Sequence, residues 1–201
     1  MTAAKRPVLR ADRDERAPVR LRADARRNRE ALLRAARETF EADGVLASLD
    51  GIAARAGVGN ATLYRNFPTR DDLLAAVVET SVEEATAKAQ DLADSLPPRE
   101  ALVEWLTELA WRLRIWHDLP YCVAEAHQDP DTSLRSACSP LLVQTGRFLG
   151  AVQTAGQASR EISADELFEL ATTLSWGIDR FGDDEQDARR RVSIATAGIF
   201  L

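Results

Sequence analysis

The sequence predicts an all-α chain of about nine helices. Three observations carry this. Apolar residues recur three and four positions apart along most of the length, the spacing that lines one face of a helix. Start and stop signals bracket these runs, including two Ser/Thr residues followed three positions later by an acid. No stretch alternates apolar and polar side chains as a half-buried strand does, and no internal repeat or low-complexity tract interrupts the pattern.

Residues 1–22 have mixed charge, two prolines and little apolar content, and they read as an arm. A first helix is predicted from Asp24 to Ala42, with Leu33, Ala36 and Phe40 inward and Asp43-Gly44 ending it. Leu49, Ile52, Ala53 and Ala56 then form one apolar face, with Ser48 placed to cap their helix and Gly57 to end it. Gly59 is the N-cap of the next helix, which turns Leu63 and Phe67 inward and stops before Pro68.

Thr69 and Asp72 form a capping box for a long fourth helix, whose apolar positions persist from Leu73 to Leu92. After Pro97-Pro98 a helix reaches Trp116, and Pro120 starts a short one to Gln128. Residues 133–156 are helical with an expected irregularity at Ser139-Pro140. Ser163 and Glu166 box a helix to Phe181, Gly182 breaks it, and a last helix spans 184–200.

Composition narrows the function. With 45% hydrophobic and 29% charged residues, the chain has the makeup of a globular protein. No apolar run approaches the roughly 20 residues that span a bilayer, and no signal-like stretch opens the chain, so a cytoplasmic location with no membrane partner is expected. Cys122 and Cys138 are too few for a disulfide framework and read as reduced small hydrophobes. His117, Cys122, His127 and Cys138 match no compact zinc spacing, so no metal is expected. No nucleophile triad, glycine-rich phosphate loop or paired carboxylate supports an enzyme, and no cofactor is implied.

The net charge of −6 is unevenly divided. Residues 1–70 hold 15 basic and 9 acidic side chains, a net +6, whereas residues 71–201 carry a net −12. A basic head on an acidic body is the asymmetry expected when one end meets phosphate. Within that head, Ser48 to Phe67 reads as a helix-turn-helix, two short helices on a tight turn. An ordinary helical hairpin has the same spacing. It would not, however, need Asn60, Thr62, Tyr64 and Arg65 on an outer face, where such groups suit phosphates and base edges.

The segment IAARAGVGNATLYRNFPTRDDLL also resembles the signature of the TetR family of bacterial transcriptional regulators. The match lies at Ile52, Ala53, Ala56, Gly57, Val58, Thr62, Leu63, Tyr64, Phe67, Arg70, Leu73 and Leu74. It departs at Gly59, Ala61 and Asn66, where Ser, Gly and His are usual. The resemblance covers about residues 25–84.

It implies three parts: an arm at 1–23, a three-helix DNA-binding domain at 24–84 with its helix-turn-helix at 48–67, and a helical effector-binding and dimerisation domain at 85–201. On this basis Asn60, Ala61 and Arg65 are expected to read bases. Ser48, Thr62, Tyr64, Asn66 and Arg70 are expected to hold phosphates. Lys5, Arg6, Arg10, Arg13, Arg16, Arg20 and Arg22 either join them along DNA or are simply solvated.

Amphipathic aromatics, together with the family's use of the following helices as a pocket, mark Trp105, Trp111, Trp116, His117, Tyr121, Phe148 and Trp176 for a small-molecule effector. Ordinary core packing is the alternative for each. The last two helices are expected to pair with a second copy through Leu167, Leu170, Leu174, Ile178, Val192, Ala195 and Ile199, unless these are buried within one subunit. The expected function is a homodimeric repressor released from a palindromic operator by its effector. A ligand-independent regulator or activator, or a small helical enzyme, is the alternative.

Overall fold

The structure, a computed structural model, describes residues 16–201, with side chains from Arg22 onward. Nine α-helices occur among the described residues: α1 Arg16–Asp43, α2 Leu49–Arg55, α3 Asn60–Asn66, α4 Arg70–Ser95, α5 Pro98–Leu113, α6 Leu119–Gln128, α7 Ser133–Thr154, α8 Ala164–Phe181 and α9 Glu185–Thr196. A short 3-10 turn, Ala197–Ile199, follows. Lys5, Arg6, Arg10 and Arg13 of the expected arm lie outside the described residues, as do the side chains of Arg16 and Arg20.

α1 begins eight residues before the expected Asp24. Pro18 does not prevent this, because it falls in the first turn, where a backbone N–H has no intrahelical partner to lose. Leu32, not Leu33, is the fully buried leucine of this helix; Leu33 is half-buried. α5 stops at Leu113 rather than Trp116. The chain then turns through Asp118, at φ 63° the one non-glycine residue with positive φ among those described. Asp tolerates this conformation better than most residues.

The expected break at Ser139-Pro140 is absent, and α7 runs through it. Pro140 cannot donate to the Ser136 carbonyl one turn back, and the Ser139 hydroxyl does so instead at 2.9 Å. α9 ends at Thr196, short of Phe200. The last residues lie back on the α7–α8 connection, with Ser159 N donating to Ile199 O at 3.2 Å and Leu201 N to Gln157 O at 3.0 Å.

The capping boxes are as expected. Thr69 and Asp72 close the start of α4, and Ser163 and Glu166 close that of α8. Gly182 ends α8 at φ 66°, a left-handed residue that glycine adopts at little cost.

α1, α2, α3 and the first turns of α4 form a small head around Leu32, Phe40, Ile52, Leu63, Phe67 and Leu73. α5 is the centre of the body, packed by α4, α7, α8 and α9. The head and body share one core because α4 belongs to both: it packs on α1 as well as on α5 and α7, and Val82 and Ala85 share a cavity wall with Leu109 and Leu113 of α5 and Leu141 of α7.

A second joint lies beside α4. Gly44, at φ 79°, lets the turn after α1 close onto the α5–α6 turn, and Val45 N donates to His117 O at 3.1 Å. Phe40 and Trp116 meet there with ring centroids 5.7 Å apart.

Candidate nucleic-acid interface and effector chamber

α2 forms where expected. The Ser48 hydroxyl accepts from Gly51 N, and Ile52 and Ala53 are buried. Gly57 turns the chain at φ 69°, and Val58 packs against the core. Gly59 then starts α3 in extended geometry with no side-chain cap, since it has no side chain to supply one. Leu63 and Phe67 face inward. Asn60, Ala61, Tyr64 and Arg65 face solvent, while Thr62 and Asn66 are partly buried at the edges of the helix.

The exposed groups are already oriented. Asn60 Nδ2 donates to Asp50 Oδ1 at 2.8 Å, tying the start of α3 to α2 and leaving its amide oxygen and second hydrogen free. Arg65 donates to Thr62 Oγ1 at 3.1 Å, which keeps the guanidinium close to the helix face. Sequence reasoning missed Asp50. The only signal is an acid in the first turn of α2, ten residues before an asparagine.

Two expected phosphate contacts are engaged within the protein. Arg70 donates to the Val45 carbonyl and so braces the start of α4 against the α1–α2 turn. Asn66 Nδ2 donates to Thr62 O at 2.7 Å, one turn back in its own helix. A short Asn reaches its own backbone, where a longer His side chain would extend outward.

The family comparisons agree with this geometry. The description "Bacterial regulatory proteins, tetR family" matches residues 32–77, and "Transcriptional regulator SbtR-like, C-terminal domain" matches residues 97–200. The chain belongs to the TetR family of bacterial transcriptional regulators. It is a DNA-binding, non-enzymatic transcriptional regulator.

Solved TetR structures share the fold. A TetR transcriptional regulator from Streptomyces coelicolor is 25% identical, covers 86% of this chain and 98% of its own, and superposes with a TM-score of 0.54. The Thermus thermophilus repressor FadR, solved with lauroyl-CoA, is 19% identical over 86% of this chain and 95% of its own, with a TM-score of 0.60. No curated protein sequence matches the chain.

The residues expected to line an effector pocket of this TetR protein do not converge. Trp105 is fully buried; its indole donates to Thr145 Oγ1 at 2.9 Å and it stacks on Phe148 at 5.6 Å. Trp111 lies under the Arg114 guanidinium at 3.4 Å. His117, Tyr121 and Trp176 are on the surface, with His117 Nδ1 2.8 Å from Asp179 and the Tyr121 hydroxyl donating to Glu125 at 2.6 Å. Trp116 borders an apolar cavity, and Trp111 borders a separate polar one among Lys88, Glu104 and Glu108. Spacing located the aromatics on the right helices but did not say which faces those helices turn toward each other.

Two mainly apolar cavities lie within the body, beside larger polar clefts at its surface. An outer chamber of about 60 Å³ lies among α6, α7 and α8, lined by Val123, Ala126, Leu134, Leu142 and Phe168, with His127 and Arg135. An inner chamber of about 30 Å³ lies between α4, α5 and α7, next to Trp116 and Leu113. Val123 and Cys138 form part of both walls. Burial pushes the Cys138 thiol up to about 12 and the Cys122 thiol up to about 11, so both are protonated at neutral pH. Among the described residues, no three His, Cys, Asp or Glu side chains are grouped to hold a metal ion, and no helix is long and apolar enough to cross a membrane.

The expected dimer stripe is also turned inward. Leu167, Ile178, Val192 and Ile199 are buried within the subunit, Leu170 and Leu174 are partly buried against its core, and only Ala195 is exposed. The one-sided pattern of α8 marked the face that covers α5, since a helix laid on a core needs its strongest apolar stripe there. The other faces of α8 and α9 expose Trp176, Phe181 and Ile194.

Proposed function

We propose that the chain is a homodimeric repressor that holds a palindromic operator through two α3 helices and is released by a small-molecule effector. The observation that carries this is the double membership of α4. Its first turn is tied to the head by the Arg70–Val45 bond. One continuous helix later, Val78, Val82 and Ala85 wall the inner chamber. Whatever widens that chamber moves a rod whose other end positions α3, which is the differential contact an effector needs to shift DNA affinity.

Two copies would meet through Trp176, Phe181 and Ile194. Arg180 lies 5.7 Å from the Trp176 ring and Arg191 4.7 Å from that of Phe181, amphipathic surroundings suited to an interface. One short helix reads few base pairs, whereas two α3 helices about 34–36 Å apart read successive major grooves on one side of the duplex. Asn60, Ala61 and Arg65 would read bases, with Ser48, Thr62 and Tyr64 on phosphates.

A regulator that needs no ligand is the second reading. It is favoured by the small size of both chambers, since drug-sized ligands fill roughly 300–1,000 Å³. The test is a gel shift on a duplex selected from a random pool. Tyr64→Ala with Arg65→Ala is expected to weaken binding by about 2–4 kcal/mol. Undiminished binding would remove α3 from the interface.

A further inference from the structure

We propose that the two chambers are the halves of one site for an amphipathic organic acid: a carboxylate at the outer end, an apolar body, and an oxygen acceptor at the inner end. This rests on the effector-released reading above and names the ligand class for it.

The outer end is set by Arg135. It is only half-buried, borders the outer chamber, and forms no ion pair with any carboxylate among the described residues. Its polar partners are His127 O and His127 Nδ1, the latter at 3.0 Å. Arginine can only donate, so Nδ1 accepts and the remaining imidazole proton is on Nε2, which faces Asp165 Oδ1 at 3.4 Å. The ring of His127 also rests on Phe168 at 5.2 Å. His127 therefore holds the guanidinium in place without neutralising it. Arginine presents donors in a fork that fits a carboxylate, and here they adjoin an otherwise apolar chamber.

The inner end is set by Trp116. This residue is buried beside the inner chamber, and its indole nitrogen has no hydrogen-bond partner. A buried donor without an acceptor is uncommon and costly, so an oxygen brought in by a ligand would satisfy it. The walls between the two ends are mainly apolar, with Ser139 in the outer chamber, Ser81 and Arg112 in the inner one, and the protonated thiol of Cys138, which with Val123 is common to both.

Each chamber alone holds no more than a few waters. Displacing the Val123–Cys138 wall joins them into one elongated apolar cavity. The same displacement would press on Val78, Val82 and Ala85 of α4 and on Trp116, which touches Phe40 of the head. Occupancy of the joined site would thus strain both connections between body and head.

The experiment is isothermal titration of the full-length protein with ω-hydroxydodecanoate, dodecanoate, dodecanol and acetate, with operator release followed in parallel. ω-Hydroxydodecanoate is expected to bind one to one and more tightly than dodecanoate. Dodecanol and acetate are expected to bind at least about tenfold more weakly than dodecanoate, because each lacks one of the required parts. Arg135→Gln should lower dodecanoate affinity to that of dodecanol, abolishing the preference for the acid over the alcohol. Cys138→Phe, which fills the common wall, should abolish binding of both, with far-UV circular dichroism and DNA binding retained as the check on folding.

Equal affinity for dodecanoate and dodecanol, or no effect of Arg135→Gln, would overturn the anionic end. Equal affinity for the two acids would overturn the role of Trp116. A protein that binds its operator but none of these ligands would refute the ligand class and leave the regulator reading intact. Failure of the unliganded protein to bind any DNA would count against that reading instead.

Discussion

Gly44→Ala measures the tightness of the head–body joint. Gly44 has φ 79°, which costs an L-residue about 1–2 kcal/mol. A methyl group there would also meet His117 O at 3.2 Å and His117 Cβ at 3.3 Å. Neither atom is the free end of a flexible side chain, and His117 O is already engaged by Val45 N. Forcing that contact apart adds on the order of 1–3 kcal/mol, typical of overpacking.

The total expected loss is about 2–5 kcal/mol, or roughly 4–20 °C in Tm for a chain of this size. Two other glycines separate the contributions. Gly57 has φ 69° with nothing within 4 Å of the added methyl, so Gly57→Ala should cost the backbone strain alone. Gly150 lies inside α7 with no positive φ and open space around it, so Gly150→Ala should stabilise by about 0.5–1 kcal/mol. Urea unfolding of the three variants gives the comparison. If Gly44→Ala costs no more than Gly57→Ala, the α1–α2 turn is not closed against His117 and the joint is not as described.

Three further outcomes follow from named contacts. Gly59→Ser supplies the missing N-cap of α3 with open space around the new side chain, and should raise stability by a few tenths of a kcal/mol, read from the urea midpoint. Glu108 sits between Lys88 and Arg112; burial opposes its ionisation, but the two hydrogen bonds prevail and hold its carboxyl below the ordinary 4.5. Its contribution is therefore complete above pH 4.5 and lost as pH falls through the lower folded value, so Glu108→Gln should flatten the acid limb of urea midpoint against pH, and an unchanged limb would refute the assignment. Phe181→Glu places a charge on the exposed aromatic face of α8 and should convert a dimer to a monomer in analytical ultracentrifugation with far-UV circular dichroism retained; an unaltered dimer would move the interface elsewhere.

Local chemistry made much of the fold legible. The Thr69–Asp72 and Ser163–Glu166 boxes, Gly57 and Gly182 each act within one turn of chain, so residue identity alone located those helix ends. The inward and outward sets of α3 were equally readable, because seven residues leave little freedom of phase. What sequence did not reveal depends on tertiary partners. Trp105 is apolar and amphipathic wherever it falls, and only the position of Thr145 and Phe148 makes it core rather than pocket. Leu167 and Ile178 form the strongest stripe of α8, and only the docking of α5 shows that the stripe is used within one subunit. Arg70 looked free because the Val45 carbonyl it binds is 25 residues away. Arg135 carried one faint signal, a lone cation between the buried Leu134 and Cys138, whose meaning required the chamber.

In the proposed dimer, the α3 face of a basic head is held against DNA twice over, once from each subunit. The most direct measurement is affinity for the selected operator across a salt series. Log K is expected to fall linearly with log salt, with a slope of several units for a dimer that brings the cations of both heads against DNA, and Tyr64→Ala with Arg65→Ala, which removes the Arg65 cation from each head, is expected to make the slope shallower. An affinity that does not change with salt, or a slope left unaltered by those two substitutions, would contradict that arrangement.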